Sequence, residues 1–495
     1  MKDFFKKNLF ASSALCIFSF ILFYFLLHPA YNWEHSENWF FLYACLDKKE
    51  LYDSTFPLIF DLCLDGGTPR TRLLSWTSFV LNTEMRKFLF DFIPYHATIS
   101  FTWIFSVICL PITFYKLLRT YAIDKEVSIL ATILLLSSVG WLSGHLMYFH
   151  QAKPMSSFFL ILSWFFARKY INERDFNIKN VALFAIILLI GTHWDELFFF
   201  SFAFIPLSLT YSKNNITAFK SLLLAYLISL PLFYISTTYF LPYVTEYYNL
   251  EIYDFWNYAF DTNSGLTSLQ FSDFIFNAET MLTSHLIPMD SISDLRNPKT
   301  VFYFVAIGIW LLFFFTAKSK LEFFKWTFVL VMFCLFQSLI LSRRLGRLFL
   351  GAFYWGHLFS IFYAFLFAYC LGSTKLNLSK NKYYKFFTRF LFIFFIFSAF
   401  NNSLLMNNDH MVENRDGMKN QKNIDVYGTK WPSIMADSTD PLEFSDILLI
   451  WRERENFSTA KALFSKIPED GYWMYMHLYM RHHKKVENNG KTWGF

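Results

Sequence analysis

Apolar residues in this chain come in long unbroken runs instead of alternating or one-sided patterns. Leu9–Leu27, Ala97–Tyr115, Val127–Tyr148, Ser221–Tyr239, Val301–Thr316, Trp326–Leu341, Leu348–Leu371 and Phe390–Met406 each approach the length of a membrane-crossing helix, which needs about 20 mostly apolar residues. Two stretches are less regular. The polar His150-Gln151-Ala152-Lys153-Pro154 interrupts the pattern before Met155–Ala167, and Val181–Tyr211 carries His193-Trp194-Asp195-Glu196 at its middle. Ionisable groups are costly at the centre of a bilayer. The second stretch is therefore expected to be two short helices joined by a tight turn.

That reading gives about eleven spans, and the loop charges favour it. Twenty Lys and Arg then fall on the cytoplasmic side, and four (Lys153, Arg343, Arg344 and Arg347) on the short outer loops. Treating Val181–Tyr211 as one span flips every later loop and leaves thirteen inside against eleven outside. Basic loops stay inside, so the hairpin is preferred. The N-terminus, with Lys2, Lys6 and Lys7, lies inside on this reading, and Leu9–Leu27 is read as a retained first helix, since no small-x-small cleavage site follows it. The C-terminus lies outside.

Composition agrees with the pattern. Of 495 residues, 55% are hydrophobic and 17% charged, and the chain holds 66 Phe, 28 Tyr and 15 Trp. A soluble domain carries about 25% charged residues. The expected fold is all-α and polytopic: a transmembrane domain over 1–406 and a small extracytoplasmic domain over 407–495. Loop one (28–96), built of interfacial helices, and a second loop (241–300) lie outside the membrane. The cytoplasmic connections are short and no Walker-type glycine loop occurs. A nucleotide-binding domain in this chain and a nucleic-acid partner are both excluded from the reading; membrane lipids are the expected surroundings. Cys45 and Cys63, 18 residues apart in loop one, are candidates for a disulfide if the geometry permits.

The candidate chemistry gathers at the outer boundary. Glu34 and Glu37 stand three apart between Trp33 and Trp39, and share a face on a helical turn. A carboxylate held against apolar surroundings can act as a general base; two solvated glutamates between aromatic anchors explain the same residues. His193, Asp195 and Glu196 at the hairpin tip can orient an acceptor hydroxyl or ligate a divalent cation, or simply form a solvated turn. Arg343, Arg344 and Arg347 break the charge asymmetry, and two guanidinium forks four apart suit a phosphate or pyrophosphate; anionic lipid headgroups are the other use. Arg70 and Arg72 follow a Gly66-Gly67-Thr68-Pro69 turn, and with His150 and Lys153 they can hold a second phosphate or a sugar. An interfacial helix over Leu73 to Phe92 accounts for that loop almost as well. His357, inside the tenth span, is expected to be a hydrogen-bonded packing residue.

A long first outer loop with acidic residues just after span one, interfacial helices within it, eleven spans and an outer C-terminal domain resemble the GT-C glycosyltransferases, of the bacterial mannosyl- and aminoarabinose-transferase type. The resemblance is one of architecture over most of the chain. It implies transfer of a sugar from a polyprenyl-phosphate carrier to a glycan or lipid acceptor, outside the cytoplasmic membrane of a bacterium, with Glu34 or Glu37 acting on the acceptor. The chain departs from that pattern in having Glu-x-x-Glu where those enzymes usually carry Asp, and it has neither an Asp-x-Asp nor a Trp-Trp-Asp motif. A surface-polysaccharide polymerase or ligase is the nearest competing enzyme. A lipid-linked glycan transporter or flippase is the competing non-enzyme, and it would show related halves and broken helices near the midplane.

Overall fold

The computed structural model describes residues 73–78, 101–138, 152–171, 177–194, 215–250, 270–283, 319–345 and 356–373, with shorter or single positions at 59, 80–81, 140–141, 308, 310–311, 314–315, 317, 386, 390, 393–394 and 397. Among them the structure is helical, with no β-strand. The helices are α1 (Phe101–Thr120), α2 (Lys125–Leu136), α3 (Ala152–Tyr170), α4 (Ile178–Thr192), α5 (Asn215–Ile235), α6 (Leu241–Tyr247), α7 (Phe271–Thr283), α8 (Lys320–Leu345) and α9 (His357–Ser373). Two helical stretches, Ile216–Tyr247 and Lys320–Leu339, are long and apolar enough to cross a membrane by length and composition.

Local signals set the helix ends. The Asp124 side chain accepts from the Glu126 amide at 2.8 Å and caps α2, while Asn177 accepts from Lys179 at 3.0 Å and caps α4. The turn between α1 and α2 places Ala122 at φ 57°, and the Arg119 guanidinium donates to the Ile123 carbonyl across it. Asn249, at φ 52°, closes α6: the Leu250 amide bonds the Thr245 carbonyl at 2.8 Å, and the Asn249 amide that of Glu246 at 2.9 Å. This is the left-handed stop that Asn tolerates better than most residues. Pro154 sits in the first turn of α3, where its missing N–H breaks no helical bond. Hydroxyls inside the helices are satisfied locally: Thr113, Thr132, Thr192, Ser229 and Thr237 each donate to the carbonyl four residues back.

Contacts along these helices sort their ends into two groups. At one end Tyr121 meets Trp164, Trp326 and Phe365 at centroid distances of 6.4, 5.5 and 4.9 Å, and Trp326 meets Tyr369 at 5.0 Å. Asn180 donates to the Tyr170 carbonyl nearby, bringing in the start of α4. At the other end Ser156 meets His357, and His193 meets Ser236. Consequently α3 and α9 run parallel to each other, and α8 runs against both. Phe333 stacks on Phe362 at 4.0 Å between α8 and α9.

Helix α4 stops at Thr192, and His193 and Trp194 form a turn. The stretch Val181–Tyr211 is thus not one continuous helix. Leu189 of α4 packs beside Phe233, three residues before the Ser236 that meets His193, so α4 and α5 are parallel.

Other boundaries differ from expectation. The helix expected to end at Tyr239 continues through a π-helical turn (Ser236–Phe240) and α6 to Tyr247, and α7 lies within the stretch expected to be a loop. Lys153 is not at a loop tip: the polar run before Met155 belongs partly to α3, because Pro154 starts a helix as readily as it ends one. His357 is the first residue of the described helix α9, and the earlier part of the expected span, 348–355, lies outside the described residues. Leu9–Leu27, loop one before residue 59 and the segment 407–495 lie outside the described residues.

The core is dominated by aromatic rings at the Tyr121 end and is more mixed at the other. Trp164 is fully buried, stacked on Phe362 at 4.8 Å, and its indole N–H donates to the Tyr121 hydroxyl at 2.9 Å. The Arg168 guanidinium lies 4.6 Å from the Tyr121 ring centre, a cation–π contact that keeps the charge at the helix end. Large apolar side chains also face outward. On α4 these are Leu183, Ile186 and Ile190, and on α5 Phe219, Leu223, Leu227 and Leu230. Soluble monomers rarely expose such continuous apolar stripes.

Gly140 is packed directly against another backbone. A Cβ there would sit 2.5 Å from the His357 nitrogen and 2.6 Å from the Gly356 carbonyl carbon, both backbone atoms that cannot swing aside. Gly140→Ala is expected to lower stability by about 1–3 kcal/mol, the usual range for overpacking, measured as reduced thermal stability of the detergent-solubilised protein. An unchanged midpoint would contradict this contact.

Candidate functional site

The end of the bundle opposite the Tyr121 cluster collects the candidate chemistry that falls on described residues. His193 is held from two sides. Its carbonyl accepts from the Leu74 amide at 3.0 Å, and its Nε2 lies 3.4 Å from the Ser236 hydroxyl. The first contact docks a helical segment of loop one, residues 73–78, on the turn that ends α4. Leu73 packs with Leu189 around Phe233 and Leu241, which are fully buried. The second contact falls on the π-helical turn, a distortion often found at functional sites.

The docking joins two groups that the sequence treats separately. Arg72 is the residue before Leu73, and Asp195 the residue after Trp194. Arg70, Arg72, Asp195 and Glu196 themselves lie outside the described residues. So do Glu34, Glu37, His150, Arg347, Cys45 and Cys63. Among the described residues no group of three His, Cys, Asp or Glu side chains could hold a metal ion. Cys109, Cys334 and Cys370 are free thiols.

Arg343 and Arg344 occupy the last turn of α8, which the described helix ends at Leu345. Cations are favoured there by the helix dipole. A polar seam fixes this helix against α7: the Asn277 side-chain amide donates to the Ser342 hydroxyl at 2.9 Å, which donates to the Ser338 carbonyl at 2.7 Å. Both partners are buried. The residue next to Arg343 is therefore tied to α7.

Lys153 is 1% exposed and ranks among the largest fully buried side chains. Ser156, one turn on, donates to the Lys153 carbonyl at 2.9 Å and meets His357 Nε2 at 2.9 Å. A hydroxyl has one proton; with that proton on the carbonyl, Nε2 is the donor and the ring carries Nε2–H. His357 is thus a hydrogen-bonded buried residue, as expected, but its link to the Lys153 turn was not legible. Only the recurrence of Ser at positions three and four after Lys153 hinted at a polar helix face.

No family model matches the chain, and no curated protein or solved structure does either. The placement of these groups therefore rests on the chain's own geometry.

The basic residues of the described helices divide unevenly. Lys116, Arg119, Lys125, Arg168, Lys169, Lys179, Lys220, Lys320 and Lys325 belong to the end built around Tyr121, against Lys153, Arg343 and Arg344 at the other. The loop-one contact is open to direct test. In a background lacking other cysteines, Leu74→Cys with His193→Cys is expected to form a disulfide on mild oxidation, read as a linked peptide by mass spectrometry. Cα atoms of cysteine pairs lie about 4.4–6.8 Å apart, a separation compatible with the 3.0 Å bond between these two backbones. Absence of the linked peptide would contradict the docking.

Proposed function

We propose that the chain is a polytopic membrane glycosyltransferase, moving a sugar from a polyprenyl-phosphate carrier to a cell-envelope acceptor on the outer face of a bacterial cytoplasmic membrane. About eleven spans with the N-terminus inside and the C-terminus outside are part of this reading. The observation that carries it is the docking of loop-one helix 73–78 on the His193 turn, at the end poor in basic residues. Lys and Arg avoid the outer side, so that end is the outer one. Outward-facing apolar stripes on α4 and α5 suit lipid contact.

Chemically, the acceptor hydroxyl oxygen attacks the anomeric carbon of the donor sugar. Its proton passes to Glu34 or Glu37 as general base. The bond from the anomeric carbon to the phosphate oxygen breaks, and the carrier phosphate leaves with that electron pair. Arg343, Arg344, Arg347, Arg70 and Arg72 are the cations available to the leaving phosphate. His193, Asp195 and Glu196 serve the acceptor, with or without a divalent cation.

The test is a cell-envelope glycan profile from a deletion strain complemented with wild type, Glu34→Gln, Glu37→Gln or Arg343→Ala, with expression checked for each. Deletion is expected to remove a sugar. One Glu variant is expected to leave it missing at normal expression, and Arg343→Ala to restore it only in part. Restoration by every variant would overturn the catalytic assignment and favour a transporter; accumulation of short glycan chains would favour a polymerase.

A further inference from the structure

The outward face of α5 changes chemistry at the π-helical turn. Ile216, Leu223, Leu227 and Leu230 are exposed along it. From Tyr234 onward the same face is continued by Tyr239, Tyr243 and Tyr247, flanked by Phe240 and Glu246.

The turn itself aims these rings. An i→i+5 turn holds about one residue more than an α turn, and each α residue advances about 100°. Without the extra residue, the face of Tyr234 would pass on through Thr238, Leu241 and Thr245. Instead Leu241 and Thr245 are 0% and 1% exposed, while Tyr239, Tyr243 and Tyr247 are 61%, 67% and 70% exposed. The Tyr234 and Tyr239 rings meet edge to face at 6.2 Å, so the row is continuous across the turn. On the opposite side Leu241 packs with Phe233 and with Leu73 of loop one.

Length places the row at a boundary. Lys220 is exposed near the start of α5, at the cation-rimmed end. From there to Tyr239 the helix rises about 28 Å, close to the ~30 Å hydrocarbon thickness of a bilayer. Tyr243 lies about 6 Å further on, within the headgroup layer, and a helix tilt of about 20° keeps Tyr247 near its outer edge. A tyrosine suits such a place, being apolar along its ring and polar at its tip. In bulk water the same row would be an uncovered apolar patch, which soluble surfaces rarely carry.

We propose that Tyr234, Tyr239, Tyr243 and Tyr247 dock in the lipid headgroup layer at the His193 end of the bundle, and that the π-helical turn aims them there. Ser236, in the same turn, meets His193. The docking therefore holds the candidate site at headgroup depth, the level of a lipid-linked donor's phosphate. It requires only the membrane-spanning part of the function proposed above, not its chemistry.

The experiment is depth measurement by electron paramagnetic resonance on the full-length protein in nanodiscs of phosphatidylethanolamine and phosphatidylglycerol. In a background lacking other cysteines, nitroxide labels are attached through Leu227→Cys, Tyr239→Cys, Tyr243→Cys and Tyr247→Cys, with Lys125→Cys as the aqueous reference. Their collisions with oxygen, which concentrates in lipid, are compared with those of a water-soluble nickel chelate. The oxygen-to-nickel ratio is expected to be highest at position 227, to fall through 239 and 243, and to approach the reference only at 247. Adding Tyr239→Leu and Tyr243→Leu is expected to draw the label of Tyr247→Cys inward and raise its ratio about twofold, because a longer apolar stretch tilts or sinks into the bilayer. The docking is overturned if the labels at 239 and 243 match the aqueous reference, which would leave the row to a soluble occupant such as a glycan. It is equally overturned if neither reagent reaches them, which would put a protein surface such as a second copy over the row, or if the leucine pair leaves the label at 247 unmoved. Labels at headgroup depth with a glycan profile unchanged by deletion would uphold the docking and reject the transferase. Labels in water with a sugar lost on deletion would do the reverse.

Discussion

The register between α3 and α9 is the constraint on which the rest of the described structure depends. These two parallel helices are pinned at both ends. Ser156 meets His357 at 2.9 Å, and eight residues later Trp164 lies 4.8 Å from Phe362 and 4.3 Å from Phe365. Sliding one helix past the other would separate a buried hydroxyl from a buried imidazole and open a void around the indole. Aromatic pairs of this kind contribute about 0.5–1.5 kcal/mol each beyond burial. In a hydrocarbon environment, where apolar burial no longer drives helices together, such packing and interhelical hydrogen bonds are what remain. Trp326 of α8 and Tyr121 after α1 join the same aromatic group, so the register of four helices is set there.

Once that register is fixed, the two ends acquire different characters. The Tyr121 end is a tight aromatic assembly rimmed by cations, with Arg168 lying over Tyr121. The opposite end contains the buried Lys153, His357, the π-helical turn beside His193 and the docked loop-one segment. A protein assembled only for stability would have little reason to bury a lysine at a helix start. Departures from local rules concentrate where function is served, and they concentrate at this end.

Much of the helical architecture was legible in the sequence, because unbroken apolar runs admit few alternatives. The break at His193-Trp194 followed from the expense of charge at mid-membrane, and α4 ends there. Boundaries were less legible. The continuation from α5 to Tyr247 depends on a π-helical turn, which leaves no periodic mark in a uniformly apolar segment. Pro154 is ambiguous because proline both stops a helix and starts one. The pairing of Ser156 with His357 joins residues 201 positions apart, and no spacing rule reaches that far. Of the candidate site, the sequence supplied Lys153 and His193 but not their contacts with Ser156 and Ser236. Glu34 and Glu37, the residues assigned the chemistry, lie outside the described residues.

The central claim is that the bundle is oriented, with its cation-rimmed aromatic end inside and its Lys153–His193 end outside. Site-directed cysteine labelling in intact cells and in inverted membrane vesicles tests it most directly, using a membrane-impermeant thiol reagent on single-cysteine variants at the exposed Lys125, Lys320 and Asn249. The account predicts labelling at Lys125 and Lys320 only in inverted vesicles, and at Asn249 only from the outside of cells. Labelling of Lys125 and Asn249 from the same side would contradict it.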